Sequence, residues 1–258
     1  MANIAGTGSF VSWNGGCLLI GRDISLVVPI HSHYAIQIAF GETPGVAFRS
    51  TDREEWRRYR GAMIPSRQPH SMDARSVGAN AVMFVEPETR EGRVLNERYL
   101  ANGIAETPES ASAAMAEVIA AFRSGSEDAL VRACVGVIRS LTGDVEPMVA
   151  SDERILRVIA YINANLGNKL TLDEVAAQAY LSPSRFRHLF VEQVGMGLRP
   201  YILWRRFLRV WHLVMAGESI SEAAHAAGFA DAAHLTRTSR RMFGFPPSAL
   251  RIGKQFHD

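Results

Sequence analysis

Two histidines one residue apart, His31 and His33, stand in the stretch PIHSHYAIQIAFG, with Gln37 four residues beyond the second. Imidazole nitrogens and an amide can together hold zinc, iron or copper, and the same groups can instead line a polar pocket or bond to nearby backbone. In an extended strand residues 31, 33, 35 and 37 share one face, so the three side chains can converge inside a barrel or sandwich. A second set of candidates lies in the last hundred residues, where Arg185, Arg187, His188, Arg237, Arg240 and Arg241 are interleaved with apolar residues at helical spacing. Guanidinium groups so placed can hold phosphates or grip the O6 and N7 edge of guanine. The two cysteines, Cys17 and Cys134, form neither a metal-ligand spacing nor a disulfide framework, which suits a cytoplasmic protein and leaves a cysteine-based methyl acceptor without its reactive cluster.

These residues need elements to position them. The 258 residues, 47% of them hydrophobic, suffice for two ordinary domains. Neither a secretory leader nor a run of about 18 apolar residues is evident, so no membrane partner is expected. The net charge of +2 divides unevenly: residues 151–258 hold 14 Lys and Arg against 9 Asp and Glu, the first 150 hold 14 against 17. A basic back half suits nucleic acid. In the front half, short β-branched runs (CLLIG, ISLVVPI, YAIQIAF, GVAFRS, YRGAMIP, NAVMFVEP) separated by Gly, Pro and Asp predict strands of a sandwich or barrel. After about residue 107 the period becomes helical: Met115, Val118, Ile119 and Phe122, preceded by Pro108, predict one helix, and Leu130, Cys134, Val137, Ile138 and Leu141 a second. Their apolar faces could cover the sandwich or meet a second subunit. Residues 143–153, GDVEPMVASDE, read as a linker.

The back half repeats itself. Thr171 and Glu174 form a capping box before LDEVAAQA, a turn follows at Tyr180 and Leu181, and Ser182 with Pro183 starts PSRFRHLFVEQVG. Ser219 and Glu222 repeat the box; Leu172, Val175, Ala176 and Ala179 recur as Ile220, Ala223, Ala224 and Ala227, and Phe186 and Gly195 as Leu235 and Gly244. Two tandem helix-turn-helix units result, with RPYILWRRFLRVWHLVMAG as an amphipathic helix between them.

This pattern, LTLDEVAAQAYLSPSRFRHLF, then YILWRRFLRVWHLV, then ISEAAHAAGFADAAHLTRTSRRMFGFPPSALR, resembles the DNA-binding domain of AraC/XylS transcription regulators. The resemblance implies a sequence-specific transcription regulator, of the activating kind, that is no enzyme and has double-stranded promoter DNA and RNA polymerase as partners. It places Ser184, Arg187 and His188 at base-reading positions, with Ser182 and Arg185 beside them. In the second unit Ala232 and Ala233 offer bases no hydrogen bonds, leaving His234, Thr236, Arg237, Arg240 and Arg241; a usual aromatic is Ser239 here and a usual Tyr is Leu250. The first unit is therefore expected to carry most of the specificity. A homodimer, joined through the front domain or the helices near 107–142, would cover two direct repeats.

The front half looks like the cupin-like sensory domain that such regulators often carry. The resemblance adds His70, five residues after Pro65, to His31, His33 and Gln37. Two departures matter: Gln37 stands where metal-using cupins have Glu, and Arg67 where they have Gly. The set is accordingly expected to line an effector pocket for a small molecule, joined by Trp13, Tyr34 and Arg49, with no cofactor; a divalent transition metal on His31, His33, Gln37 and His70, in a sensor or a fused cupin enzyme, is the alternative. The fold expected is multidomain: an N-terminal β-sandwich or cupin-like barrel (1–104), a helical linker and dimerisation segment (105–147), and a C-terminal all-α domain with a double helix-turn-helix (148–258).

Overall fold

The computed structural model describes residues 7–22, 27–75, 77–145, 149–250 and 253–254. They form two compact units, one built mainly from Met1–Pro147 and the other mainly from Met148–Ser239. The first contains strands β1 (Thr7–Trp13), β2 (Gly16–Arg22), β3 (Val27–His31), β4 (Ile36–Gly41), β5 (Val46–Arg49), β6 (Arg57–Tyr59), β7 (Gly61–Ile64), β8 (His70–Asp73), β9 (Asn80–Val85), β10 (Ala105–Glu106) and the two-residue β11 (Gly253–Lys254). They make two sheets, in the orders β10-β7-β4-β9-β2-β1-β11 and β3-β8-β5-β6. Helices α1 (Arg90–Tyr99), α2 (Ser112–Ser124) and α3 (Glu127–Thr142) complete the unit.

The large sheet is covered on both faces. Leu18, Ile20, Ile36, Ile38, Met83 and Val85 share a core with Met115, Val118, Phe122, Leu130, Val137 and Ile138 of α2 and α3. The opposite side contributes Ala39, Ala62 and Ile64 to a second core with Val46, Phe48, Tyr59 and Met72 of the small sheet. Burial on both sides explains why β4 and β9 read as continuous apolar runs instead of alternating ones. Of the two fates open to the late helices, covering the sheet is the one observed, so residues 105–147 do not stand apart as a linker. Pro108 begins a 3₁₀ turn, Glu109–Ala111, and α2 follows it. The expected linker is shorter than 143–153, because Gly143 is the left-handed C-cap of α3 and Asp152 already N-caps the next helix; within it, residues 146–148 lie outside those described.

The second unit contains α4 (Glu153–Ala164), α5 (Leu172–Ala177), α6 (Pro183–Val194), α7 (Leu198–Met215), α8 (Ile220–Ala226) and α9 (Ala232–Phe243). Both reciprocal capping boxes form, Thr171 with Glu174 and Ser219 with Glu222, each satisfying two backbone N–H groups that the helix cannot. Ile155, Val158, Ile162, Val175, Phe186, Phe190 and Tyr201 make one core around α4, α5 and α6. The bridging α7 buries more than the expected apolar stripe: Trp204, Phe207 and Trp211 are at most 1% exposed. Its arginines serve structure too. Arg205 Nε donates to Asn163 Oδ1 at 2.8 Å, and Arg206 donates to the carbonyls of Leu166 at 3.1 Å and Asn168 at 2.8 Å. The two turns use a left-handed residue at equivalent places, Tyr180 with φ 55° and Gly228 with φ 79°.

Candidate functional site

The strand that was to present His31, His33 and Gln37 on one face is not continuous. His31 ends β3 in the small sheet, residues 32–35 belong to neither sheet, and Gln37 lies in β4 of the large one. The chain crosses from one sheet to the other between the histidines, so alternation along one strand is not what gathers them. They converge nevertheless. His31 pairs in register with His70 of β8, and the ring centroids of His31, His33 and His70 are 4.3, 5.0 and 5.6 Å apart. One nitrogen from each ring falls within 4.8 Å of the others. The β7–β8 connection carrying Pro65 is pinned to the crossing by the Arg67 N–H, which donates to the His33 carbonyl at 2.6 Å. Arg67 itself has φ 62°, the left-handed region that glycine favours.

Hydrogen bonds define which nitrogens carry the protons. The Nδ1 atoms of His31, His33 and His70 lie 2.9, 2.8 and 2.8 Å from the backbone carbonyls of Pro29, Ala35 and Gln68. A carbonyl only accepts, so each Nδ1 carries the proton and each neutral ring keeps its lone pair on Nε2. Burial depresses all three, His33 to about 4 and His70, with its two neighbouring imidazoles, to about 3. His33 Nε2 stands 2.8 Å from Gln37 Oε1, which would require a second ring proton. Burial beside two other imidazoles opposes that charge, and turning the Gln37 amide so that its NH₂ donates to Nε2 satisfies a neutral ring. Gln37 is thus a partner of His33 in this geometry. The Nε2 of His70 has no hydrogen-bond partner among the described residues, on a residue that is 0% exposed; an orphaned buried acceptor of this kind costs about 1–3 kcal/mol. Phe84 meets His33 edge-on at 5.2 Å and Phe48 approaches His70 at 5.9 Å, while the Gln37 amide lies 3.6 Å from Met72 Sδ. Phe48, Met72 and Phe84 were not among the residues expected here, since each looks like an ordinary core position in its strand.

The other three pocket candidates lie elsewhere. Trp13 belongs to the core shared with the helices, on the opposite face of the large sheet, a choice that a two-sided sheet leaves unmarked in sequence. The Tyr34 hydroxyl donates to the Glu88 carboxylate, and its ring lies 5.3 Å beneath the Arg67 guanidinium. Arg49 is held by Asp52 at 2.6 Å and stacks over Trp56 at 4.7 Å. It lines a cleft of about 560 Å³ with Phe48, Arg57, Tyr59, Gln68 and Asn102. Phe48 and Gln68 touch both regions, so the cleft adjoins the imidazole cluster from outside.

A buried acid also went unforeseen. Glu86 follows β9, is 2% exposed and leaves Oε1 without a hydrogen-bond partner among the described residues; burial pushes its carboxyl up from 4.5 to about 7. The folded state therefore holds a proton that the unfolded chain has lost over that window. Its contribution to stability is fully present below the unfolded value and lost as pH rises through the folded one. The slope reaches up to about 1.4 kcal/mol per pH unit. Glu86→Gln is expected to remove this slope, so that the stability of the variant minus that of the parent grows from about pH 4.5 to about pH 8. Urea unfolding at several pH values measures it; a constant difference would rule the assignment out.

In the second unit, Ser182 N-caps α6 by accepting from the Arg185 N–H at 3.5 Å. Phe186 and Phe190 point into the core, Leu189 is half-buried against it, and Ser184, Arg185, Arg187 and His188 are exposed along the outer side. None of these three basic residues forms an ion pair with another described residue. On α9, Arg237, Arg240 and Arg241 are exposed and Thr236 is half-buried. The exposed His234 is tied to its own turn: its N–H donates to Asp231 Oδ1 at 2.6 Å, and its Nδ1 accepts from the Ala230 N–H at 3.5 Å. Ser239 is buried, its hydroxyl donating to the Phe245 carbonyl at 2.8 Å, a hydrogen bond in place of aromatic packing.

Comparisons with known proteins agree with this second unit. The family model described as a helix-turn-helix domain matches residues 175–252. Regulatory protein PocR of Salmonella typhimurium is 29% identical over 101 residues, 39% of this chain and 33% of PocR. HTH-type transcriptional activator RhaS of Klebsiella pneumoniae is 27% identical over 110 residues, 42% of this chain and 40% of RhaS. The chain thus spans between a third and two fifths of the length of these curated relatives. The crystal structure of ToxT from Vibrio cholerae strain SCE256, with an unsaturated fatty acid bound, covers 96% of both chains with a TM-score of 0.50 and 11% identity, a likeness of fold. No helix among the described residues is long and apolar enough to cross a membrane. The helix-turn-helix pair with its bridging helix thus matches a helix-turn-helix domain family and is similar to the corresponding part of transcription regulators such as RhaS and PocR.

Proposed function

We propose that the chain is a sequence-specific transcription activator whose C-terminal unit binds duplex promoter DNA and whose front unit senses a small molecule. The observation that carries this is the outer side of α6. Ser184, Arg185, Arg187 and His188 stand clear of the core and of ion pairs with other described residues, on the second helix of a capped helix-turn-helix, the helix that enters the major groove in such motifs. Arg187 reads a guanine, Ser182 and Arg185 hold phosphates, and α9 adds phosphate contacts through Arg237, Arg240 and Arg241 with little direct reading. His234, fixed in its turn, takes a lesser part than Arg237. The front unit supplies a buried polar cluster and an adjoining cleft, which is what a ligand-responsive unit needs. Its effector acts by binding one arrangement of the protein better than another. RNA polymerase, a second copy of the chain and the cytoplasm complete the setting. The activating sense follows the name of RhaS, and a ligand-taking front unit accords with the fatty acid in the ToxT structure.

Fluorescence anisotropy with DNA from upstream of the chain's own gene tests the reading. Preference over random DNA by about a thousandfold or more, with log K falling linearly as log salt rises, is the expected result. Equal affinity for both DNAs at every salt concentration would sink it.

A further inference from the structure

We propose that the cleft beside the small sheet binds a zwitterion, an α-amino acid with a bulky apolar side chain. The cleft lies outside the imidazole cluster, on the side where β6 ends the small sheet and no strand among the described residues pairs with its outer edge. About 560 Å³ of space lies between β5, β6 and residues 102–104 of the loop that follows α1, within the range that ligand sites occupy. One part of its wall is apolar: Phe48 and Tyr59 are buried, and Ile104 packs against the same core. Phe48 stands opposite Arg57 across β5 and β6, and residues directly opposite in an antiparallel pair share a face. Arg57 thus rises from the inner face of the sheet, beside Phe48 and Tyr59.

The charges around this wall select the ligand. Arg57 makes no ion pair with a described residue, and its guanidinium lies over the Tyr59 ring at 5.1 Å. A cation stacked in this way is held in place while its N–H edge stays free to grip a carboxylate. Arg49 is fixed by Asp52 and Trp56, and its buried Nε has no hydrogen-bond partner among the described residues. Two acids line the cleft with these two cations. Glu54 accepts the Ser50 N–H at 2.8 Å through one oxygen, and the exposed Glu55 makes no hydrogen bond or ion pair with a described residue. Glu54, Glu55 and Arg57 fall within four consecutive residues, so opposite charges stand side by side at the rim. A simple anion would gain from Arg57 and lose to the glutamates, and a simple cation the reverse. A molecule with a carboxylate and an ammonium on the same carbon satisfies both, with its side chain against Phe48, Tyr59 and Ile104.

The regulatory meaning of the ligand rests on the sensing role proposed for the front unit; its binding does not. The test uses the full chain without DNA. Thermal shift against the standard amino acids at millimolar concentration picks the ligand, and calorimetry measures it beside its deaminated and decarboxylated relatives. For L-phenylalanine, the first probe, these are 3-phenylpropanoate and 2-phenylethylamine, which keep one charge each. One equivalent of an apolar amino acid, bound at least about 10-fold more tightly than either relative and about 10-fold or more weakened in Arg57→Gln and in Glu55→Gln, is the expected result. Both residues are exposed, and circular dichroism checks that the variants fold. No binding by any standard amino acid, equal binding of either singly charged relative, or undiminished binding by either folded variant would each overturn the proposal. DNA affinity with and without the amino acid is a separate readout: a bound ligand that leaves it unchanged would remove the sensing role and leave the site standing.

Discussion

Arg187→Ala is expected to weaken binding to the preferred DNA by about 5- to 150-fold, or about 1–3 kcal/mol, and to relax the choice of base at a single position. The size follows from geometry: a bidentate fork on guanine is removed outright, and alanine puts nothing in its place. Folding should be unchanged, because Arg187 is exposed and makes no ion pair with a described residue. Arg237→Ala provides the contrast. Taking a guanidinium away from a phosphate lowers affinity for all sequences alike and reduces the salt slope by about one. Anisotropy titrations of both variants against a panel of single-base changes separate the two, and a larger shift of base preference for Arg237→Ala would reverse the assigned roles of α6 and α9.

The back half was readable because its signals are local. Thr171 with Glu174, Ser219 with Glu222, and Ser182 before Pro183 mark helix starts within four residues, and all three caps form. Phe186 and Phe190 fell on the inner side because a 12-residue helix keeps one period throughout. The front half hid more. Helix α1 has a short, mostly polar sequence, REGRVLNERY, whose apolar stripe is thin; only Thr89, whose hydroxyl accepts from the Gly92 N–H, announced it. Trp13 went to the wrong side because strands buried on both faces carry no alternation to read. The histidines were found as a set for a reason that does not hold: residues 32–35 leave the sheet, and pairing of β3 with β8 brings His31 to His70 instead. Pairing between distant strands is not written in any one segment.

A larger structural effect is expected at Gly228. A Cβ built there would lie 2.2 Å from the Leu166 carbonyl oxygen and 2.9 Å from the Arg206 guanidinium. The glycine also has φ 79°, which costs a side-chain-bearing residue about 1–2 kcal/mol. The first obstacle is backbone at the end of α4, and the carbonyl concerned already accepts from Arg206 Nε at 3.1 Å, so moving it breaks that bond as well. Gly228→Ala should therefore destabilise the second unit by about 2–4 kcal/mol, combining the left-handed cost with overpacking. Tyr180 occupies the equivalent place in the first turn at φ 55° but is 84% exposed, so its side chain meets no such wall. Tyr180→Gly, which relieves the left-handed conformation, should change stability by no more than about 1 kcal/mol. Urea midpoints of the two variants give the comparison, and similar losses for both would show that the close approach to Leu166 is not what matters.

The bridging helix α7 has a consequence for the grammar of the DNA it serves. Eighteen residues of continuous helix, anchored by Trp204, Phe207 and Trp211 and tied to the end of α4 by Arg205 and Arg206, join the two turn-bearing units. Such a rod is about 27 Å long and does not stretch. Two recognition elements on a rigid spacer fix both the spacing of the sequence words they meet and the rotational phase between them. Inserting about half a helical turn, roughly five base pairs, would carry the second word to the far side of the duplex, where the protein has one foothold instead of two. On the proposed function, operators for this chain are therefore expected to be selected by phase as much as by letters, with drift in spacing tolerated less than drift in the word beneath α9.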